Sequence, residues 1–260
     1  MVEIILFTVS VVPVIILSRY VYNRDTNKES PKMLTKLFLG GILSVILVTF
    51  ISLILHMIIP IFLIDIENQN LIELIFHAFI AVALIEEWSK WIVLYKMSFN
   101  NYEYDETYDM IVYAVFVSLG FAFLENLLYV YSYGVVTGFT RGLLSIPGHA
   151  FFGVFMGYYL NLAKISSIKK DENQKNKYLL SSIVVPVLLH GFYDYCLLTQ
   201  KPLFLFIFLI FVLIFFYSAF KKIKQESIMN IKFKFKNNFC TNCGCKIQSN
   251  FCTNCGKKNE

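Results

Sequence analysis

"AFIAVALIEEWSKWIVLY", residues 78–95, decides how the chain is read. It is apolar enough to lie in lipid, yet it carries Glu86 and Glu87 side by side and Lys90 one turn on. A carboxylate left unpaired in an apolar medium costs several kcal/mol, so ionisable groups inside a membrane helix are functional candidates by default. Outward from this stretch the chain stays apolar: 57% of its 260 residues are hydrophobic, against about 45–50% in ordinary soluble domains. About 20 apolar residues span a bilayer as helix. Seven stretches qualify as spans: Val2–Tyr22, Leu37–Ile61, Leu71–Tyr95, Met110–Tyr131, Leu143–Ala163, Tyr178–Leu198 and Leu203–Phe220. The first has no basic leading segment and no small-residue cleavage site, so it is expected to be a retained span rather than a signal peptide. The fold class expected is all-α, a polytopic membrane bundle of about seven spans.

Charge sets the expected orientation. Arg24, Lys28, Lys32 and Lys36 follow the first span, a run from Lys164 to Lys177 follows the fifth, and Lys221, Lys222 and Lys224 follow the seventh. The alternate connections hold Arg141 or Lys201 alone, or no basic residue. The positive-inside rule then predicts a cell-membrane protein with its N-terminus outside and its C-terminus in the cytoplasm. The acidic connection "KMSFNNYEYDETYD" runs weakly against this pattern.

The C-terminal tail is of another kind. Five of the six cysteines lie after residue 239, and Cys240, Cys243, Cys252 and Cys255 form two C-x-x-C pairs. Four thiolates at this spacing close a tetrahedral structural zinc site, whose binding energy folds a segment too short for a core. A disulfide pairing is disfavoured in a reducing cytoplasm. Cys245 is a spare thiol and Cys196 a packing residue. The domains expected are 1–224, the membrane unit, and 225–260, a linker and zinc ribbon with a cytoplasmic protein as its partner. No nucleic acid is expected.

Polar residues recur in four consecutive spans. Glu86, Glu87 and Lys90 are joined by Glu125 and Asn126, then His149, then His190 and Asp194. Glu86 and Lys90, and likewise His190 and Asp194, are spaced i, i+4 and so share a helix face. Each has a plainer reading: a Glu–Lys clamp, a hydrogen-bonded core histidine. Gly153-x-x-x-Gly157 reads as a helix-packing face, Trp88 and Trp91 as lipid-facing or interfacial, and His56 and His77 as incidental. The conjunction of three glutamates and two histidines, offset by one lysine, argues for a site.

"EEWSK", "FAFLEN", "RGLLSIPGHAFFG" and "HGFYD" resemble the PrsW family of intramembrane proteases, over roughly residues 1–220. That family is grouped with the CAAX prenyl proteases and bacteriocin-immunity proteins. The resemblance implies a bacterial membrane peptidase whose catalytic groups are Glu86, Glu87, Glu125, His149, His190 and Asp194, with Lys90, Asn126 and Arg141 supporting. It implies a membrane-anchored protein substrate, a single-span anti-sigma factor being the family's own. Direct glutamate catalysis is favoured over a metal held by two histidines and a carboxylate, because no span carries H-E-x-x-H. A proton- or metal-coupled transporter and a scaffold that recruits partners through the ribbon are the alternative classes.

Overall fold

The computed structural model describes residues 2–58 and 70–233, with Cys243, Cys245, Asn254 and Cys255 as isolated positions. Cys240 and Cys252, two of the expected zinc ligands, lie outside the described residues. Nine α-helices and one π-helical segment appear among the described residues: α1 (Val2–Arg24), α2 (Pro31–Ile58), α3 (Leu71–Phe76), a π-helix (His77–Leu84), α4 (Ile85–Ser98), α5 (Asp109–Tyr133), α6 (Val135–Leu143), α7 (Ser145–Ile168), α8 (Glu172–Leu198) and α9 (Pro202–Ile228). They make seven long helical stretches, one for each expected span. Five of them, Pro31–Leu55, Asp109–Tyr133, Val135–Ile168, Glu172–Leu198 and Pro202–Ile228, are long and apolar enough to cross a membrane. The chain is an α-helical membrane protein.

Local chemistry sets the helix ends. Asn70 Oδ1 accepts from the amides of Ile72 and Glu73, and Glu73 Oε2 accepts from the Asn70 amide at 2.7 Å, a capping box that starts α3. Asp171 caps α8 through the Gln174 amide at 3.0 Å, and Pro202 opens α9, where its missing N–H is no loss.

Helix α5 is the centre of the bundle, packed by α1, α2, α4, α6 and α7. In lipid, helices associate by close packing rather than by leaving water, so small residues mark the contacts. The Gly153/Gly157 face is one: a Cβ on Gly157 would stand 2.5 Å from the Met110 carbonyl oxygen of α5. The outer faces of α2 and α9 are apolar and exposed, with Leu43, Ile46, Phe50 and Leu53 on the first and Leu209, Leu213, Ile214 and Tyr217 on the second. Trp91 corrects an expectation. Its indole N–H donates to Ser182 Oγ of α8 at 2.8 Å, and its ring stacks on Tyr95, so it seals α4 to α8 rather than facing lipid.

There is no strand among the described residues, only an isolated antiparallel bridge between Glu106 and Lys232. Around it the Thr107 amide donates to the Ile231 carbonyl at 3.0 Å and the Phe233 amide to the Asp105 carbonyl at 2.7 Å. The segment after α9 is thereby stitched to the connection between α4 and α5.

Candidate active site

The π-helix leads straight into the two glutamates. Its i→i+5 bonding widens each turn, and such segments concentrate at functional sites. Phe79 of the π-helix packs on Gly191 of α8, where a Cβ would come within 2.4 Å of the ring. That contact draws the π-helix and α8 together beside His190.

Glu87 and Lys90 are fully buried, and Glu86 nearly so. Lys90 Nζ donates to Glu87 Oε1 at 2.6 Å, meets His149 Nδ1 at 3.0 Å, and stands 3.7 Å from Glu86 Oε2. It also sits 4.1 Å from the centre of the Phe121 ring. Glu87 Oε1 in turn holds His190 Nδ1 at 2.9 Å. The other nitrogen, His190 Nε2, lies 3.2 Å from Asp194 Oδ2 and 4.0 Å from Glu86 Oε2. On the far side His149 Nε2 pairs with Glu125 Oε2 at 2.9 Å, and Arg141 Nη2 reaches the same oxygen at 2.7 Å. Phe152 stacks on His190 with ring centres 4.8 Å apart, and the two histidines meet edge to face at 5.1 Å.

One connected cluster thus contains all six candidate residues, with Lys90 at its heart and Arg141 at its rim. It opens on a cavity of about 400 Å³ lined by Glu86, Glu125, Arg141, His149, His190 and Asp194, among others. Glu87 and Lys90 are not among the lining residues. Glu86 Oε2 is buried with no hydrogen-bond partner. The two adjacent glutamates therefore differ: Glu86 faces the cavity and Glu87 faces the polar interior behind it. Four carboxylates (Glu86, Glu87, Glu125, Asp194) meet two fixed cations (Lys90, Arg141), and the histidines supply the remaining donors.

Asn126 is not part of this cluster. It turns toward α1, where its Nδ2 donates to Ser10 Oγ at 3.0 Å. His77, which the sequence gives as incidental, does line the cavity, as do Tyr129 and Tyr193. Nine residues separate His77 from Glu86, about two and a half α-helical turns, which would set them on opposite sides. The wider turns of the π-helix bring both to the cavity. Glu73, at helical spacing from His77, serves its own helix cap instead. The short helix α6, not foreseen in the sequence, presents Val136 and Phe139 outward and Arg141 inward.

A polytopic α-helical membrane protein with a cavity of paired carboxylates and histidines has the makings of a hydrolase working inside the bilayer. Residues 29–219 match the family described as "PrsW family intramembrane metalloprotease". The chain is 36% identical over 221 residues to "Protease PrsW" of Geobacillus kaustophilus, covering 85% of this chain and 91% of that one. It is 34% identical over 228 residues to "Protease PrsW" of Bacillus subtilis, covering 87% and 97%, and 42% identical over 147 residues to that of Halalkalibacterium halodurans, covering 56% and 66%. No solved structure matches the chain. The chain belongs to the PrsW family of intramembrane proteases.

The family description implies a metal, and the residues present fit one. Glu86, His149 and His190 each offer a ligand atom, and these atoms lie within 4.8 Å of one another. Two histidines and one carboxylate form a common donor set for a divalent transition metal. Glu86 Oε2 has no protein partner to give up. His190 is oriented through Nδ1 by Glu87, the usual arrangement behind a ligating imidazole. His149 and His190, each engaged on both nitrogens, would each exchange one partner to join.

Proposed function

We propose that this peptidase is glutamate-dependent, with Glu86 as the group that activates water. The observation that carries the reading is the division between the two glutamates: Glu86 lines the cavity and no hydrogen bond holds its Oε2, whereas Glu87 lies behind the cavity with its Oε1 held by both Lys90 and His190. Glu86 takes a proton from water as the oxygen attacks the peptide carbonyl carbon. His190, when charged, donates from Nδ1 to Glu87 and from Nε2 to Asp194 and so brings a positive charge to the cavity, while Arg141, whose Nε has no hydrogen-bond partner, is the N–H donor for the developing oxyanion. The C–N bond then breaks and the proton passes to the leaving amine. Glu125 is held by Arg141 and His149, closing the other wall. Glu87 and Lys90 are positioning residues. A divalent metal held by Glu86, His149 and His190 would supply Lewis-acid activation of water at the same spot, and the positioning roles of Glu87, Lys90 and Asp194 are the same in either case.

The substrate class follows from size and setting. A cavity of about 400 Å³ admits an extended segment rather than a whole helix, which is about 10 Å across. The proposed substrate is a membrane-anchored protein that unwinds near its cut site, and the family resemblance points to a single-span anti-sigma factor. The cysteine tail is proposed to be a zinc ribbon that faces the cytoplasm and contacts a protein partner, beyond a membrane unit whose last helix runs four residues past the boundary expected at 224. Co-expression with tagged single-span proteins tests the reading. Wild type should release a shortened fragment, and Glu86→Gln and His190→Ala should release none while accumulating normally. Cleavage by Glu86→Gln at the wild-type rate would overturn it.

A further inference from the structure

Sixteen residues before Glu125 on the same helix, about 24 Å away by helix rise, lies a second buried polar cluster. Asp25 comes from the connection between α1 and α2, Glu106 from the connection between α4 and α5, and Asp109 is the first residue of α5. Asp25 is 3% exposed, Glu106 9% and Asp109 0%. Each offers a carboxylate oxygen, and these lie within 4.8 Å of one another. We infer that Asp25, Glu106 and Asp109 bind a hard divalent cation, at a site separate from the catalytic cluster.

The hydrogen bonds around the three acids support a ligand rather than a mere crowd of charges. One oxygen of each carboxylate is fixed by the protein. Asp25 Oδ1 accepts from the Asn27 amide at 3.2 Å, and Asp109 Oδ2 accepts from the amides of Asp105 at 3.0 Å and Glu106 at 2.7 Å. Glu106 Oε2 accepts from the Asn230 side chain. The other oxygens of the two aspartates, Asp25 Oδ2 and Asp109 Oδ1, are buried with no hydrogen-bond partner. Outer groups that hold one oxygen and leave its twin to the ion are the pattern of an oriented ligand set. A fourth acid, Glu29, stands behind, hydrogen-bonded by the Tyr113 hydroxyl.

Charge points the same way. Among the described residues, no Lys or Arg nitrogen is within salt-bridge distance of these four acids. Lys28 is turned to the carbonyls of Tyr22 and Asp25, and Lys232 pairs with Asp105 at 2.8 Å. Several buried carboxylates whose nearest cations, Lys28 and Lys232, stand beyond salt-bridge distance are unfavourable together. Burial pushes the Asp25 carboxyl up, and pushes Glu29 up to about 7 despite its hydrogen bond from Tyr113. A bound cation reverses that bias. The donors are all oxygen, which suits Mg²⁺, Ca²⁺ or Mn²⁺ and not a thiolate-seeking metal. Through Glu106 and Asn230 the ion would tie the start of the cysteine tail to the two connections at this end of the bundle.

The test uses the full chain in detergent after chelation. Mn²⁺ is titrated by electron paramagnetic resonance, and melting is followed with Mg²⁺, Ca²⁺, Mn²⁺ or none. Wild type should bind Mn²⁺ and melt higher with divalent cation. A Glu86→Gln, His190→Ala double variant, disabled in the catalytic cluster, should keep that binding. Asp109→Asn and Glu106→Gln should each weaken it at least tenfold. If Asp109→Asn does not accumulate, Glu106→Gln and the wild-type melts carry the test. No cation effect on wild-type melting, with stability rising as pH falls, would instead mark a proton shared by Glu29 and Asp109 and overturn the proposal. Mn²⁺ binding lost only in the double variant would overturn it equally.

Discussion

Replacing Glu87 by Gln should damage the fold, and replacing its neighbour Glu86 should not. Glu87 is fully buried and its Oε1 is 2.6 Å from the Lys90 ammonium, itself fully buried. Without that charge, the nearest remaining carboxylate in an ion pair with Lys90 is Glu86 at 3.7 Å. Breaking one side of a buried pair costs about 3–5 kcal/mol, because the other charge stays buried. At about 2–4 °C per kcal/mol for a chain of this size, melting should fall by roughly 6–20 °C. Glu86→Gln removes a carboxylate oxygen that has no hydrogen-bond partner and should shift stability by less than about 1 kcal/mol. Its effect should fall on turnover, by about 10²–10⁴-fold. Melting of both variants in detergent, beside cleavage assays, reads the two effects separately. A Glu87→Gln, Lys90→Met double variant should recover part of the lost stability, since it leaves no orphan charge. Equal melting of Glu86→Gln and Glu87→Gln would refute the division of labour between them.

The tail should bind one zinc through Cys240, Cys243, Cys252 and Cys255, seen as zinc released by a Cys240→Ser, Cys243→Ser variant on metal analysis; unchanged zinc would count against the ribbon. An impermeant maleimide should leave the tail cysteines of intact cells unlabelled and modify them after lysis; early labelling would invert the proposed orientation. A chain cut after Phe233 should accumulate normally, while one cut after Lys224 should melt lower. The shorter cut removes Asn230, which accepts from the Tyr108 amide at 3.0 Å, and Phe233, whose ring meets Tyr104 at 5.3 Å. Gly157→Val should cost about 1–3 kcal/mol by wedging α7 off α5, read as lowered melting, because even a Cβ there meets the Met110 carbonyl at 2.5 Å.

Much of this architecture was legible in the sequence because lipid imposes simple rules. A bilayer demands about 20 apolar residues per helix, so all seven stretches could be marked before any fold was known. Intramembrane charges are costly enough that Glu86, Glu125, His149, His190 and Asp194 named themselves as a group. The i, i+4 pairing of His190 with Asp194 appears as drawn, at 3.2 Å. What stayed hidden depends on helix phase and on contacts distant in sequence. An α-helical period puts His77 opposite Glu86, and only the π-helix from His77 to Leu84 brings it to the cavity. The same period cannot tell that Glu86 faces the cavity while Glu87 faces Lys90 and His190. Asn126 sits beside Glu125 in sequence but one step round the helix, toward Ser10. Trp91 looked like a membrane-surface residue because its partner, Ser182, lies on another span. Asp25 and Asp109 are separated by two helical stretches, and their meeting could be read only from the folded chain.

Water activation in the cavity is the role proposed for Glu86. The most direct measurement is single-turnover cleavage of a single-span substrate in vesicles by wild type and by Glu86→Gln at matched melting temperature. The Glu86→Gln protein should fold, bind substrate and cut it at least a hundredfold more slowly. A folded Glu86→Gln protein cutting at the wild-type rate would contradict that role.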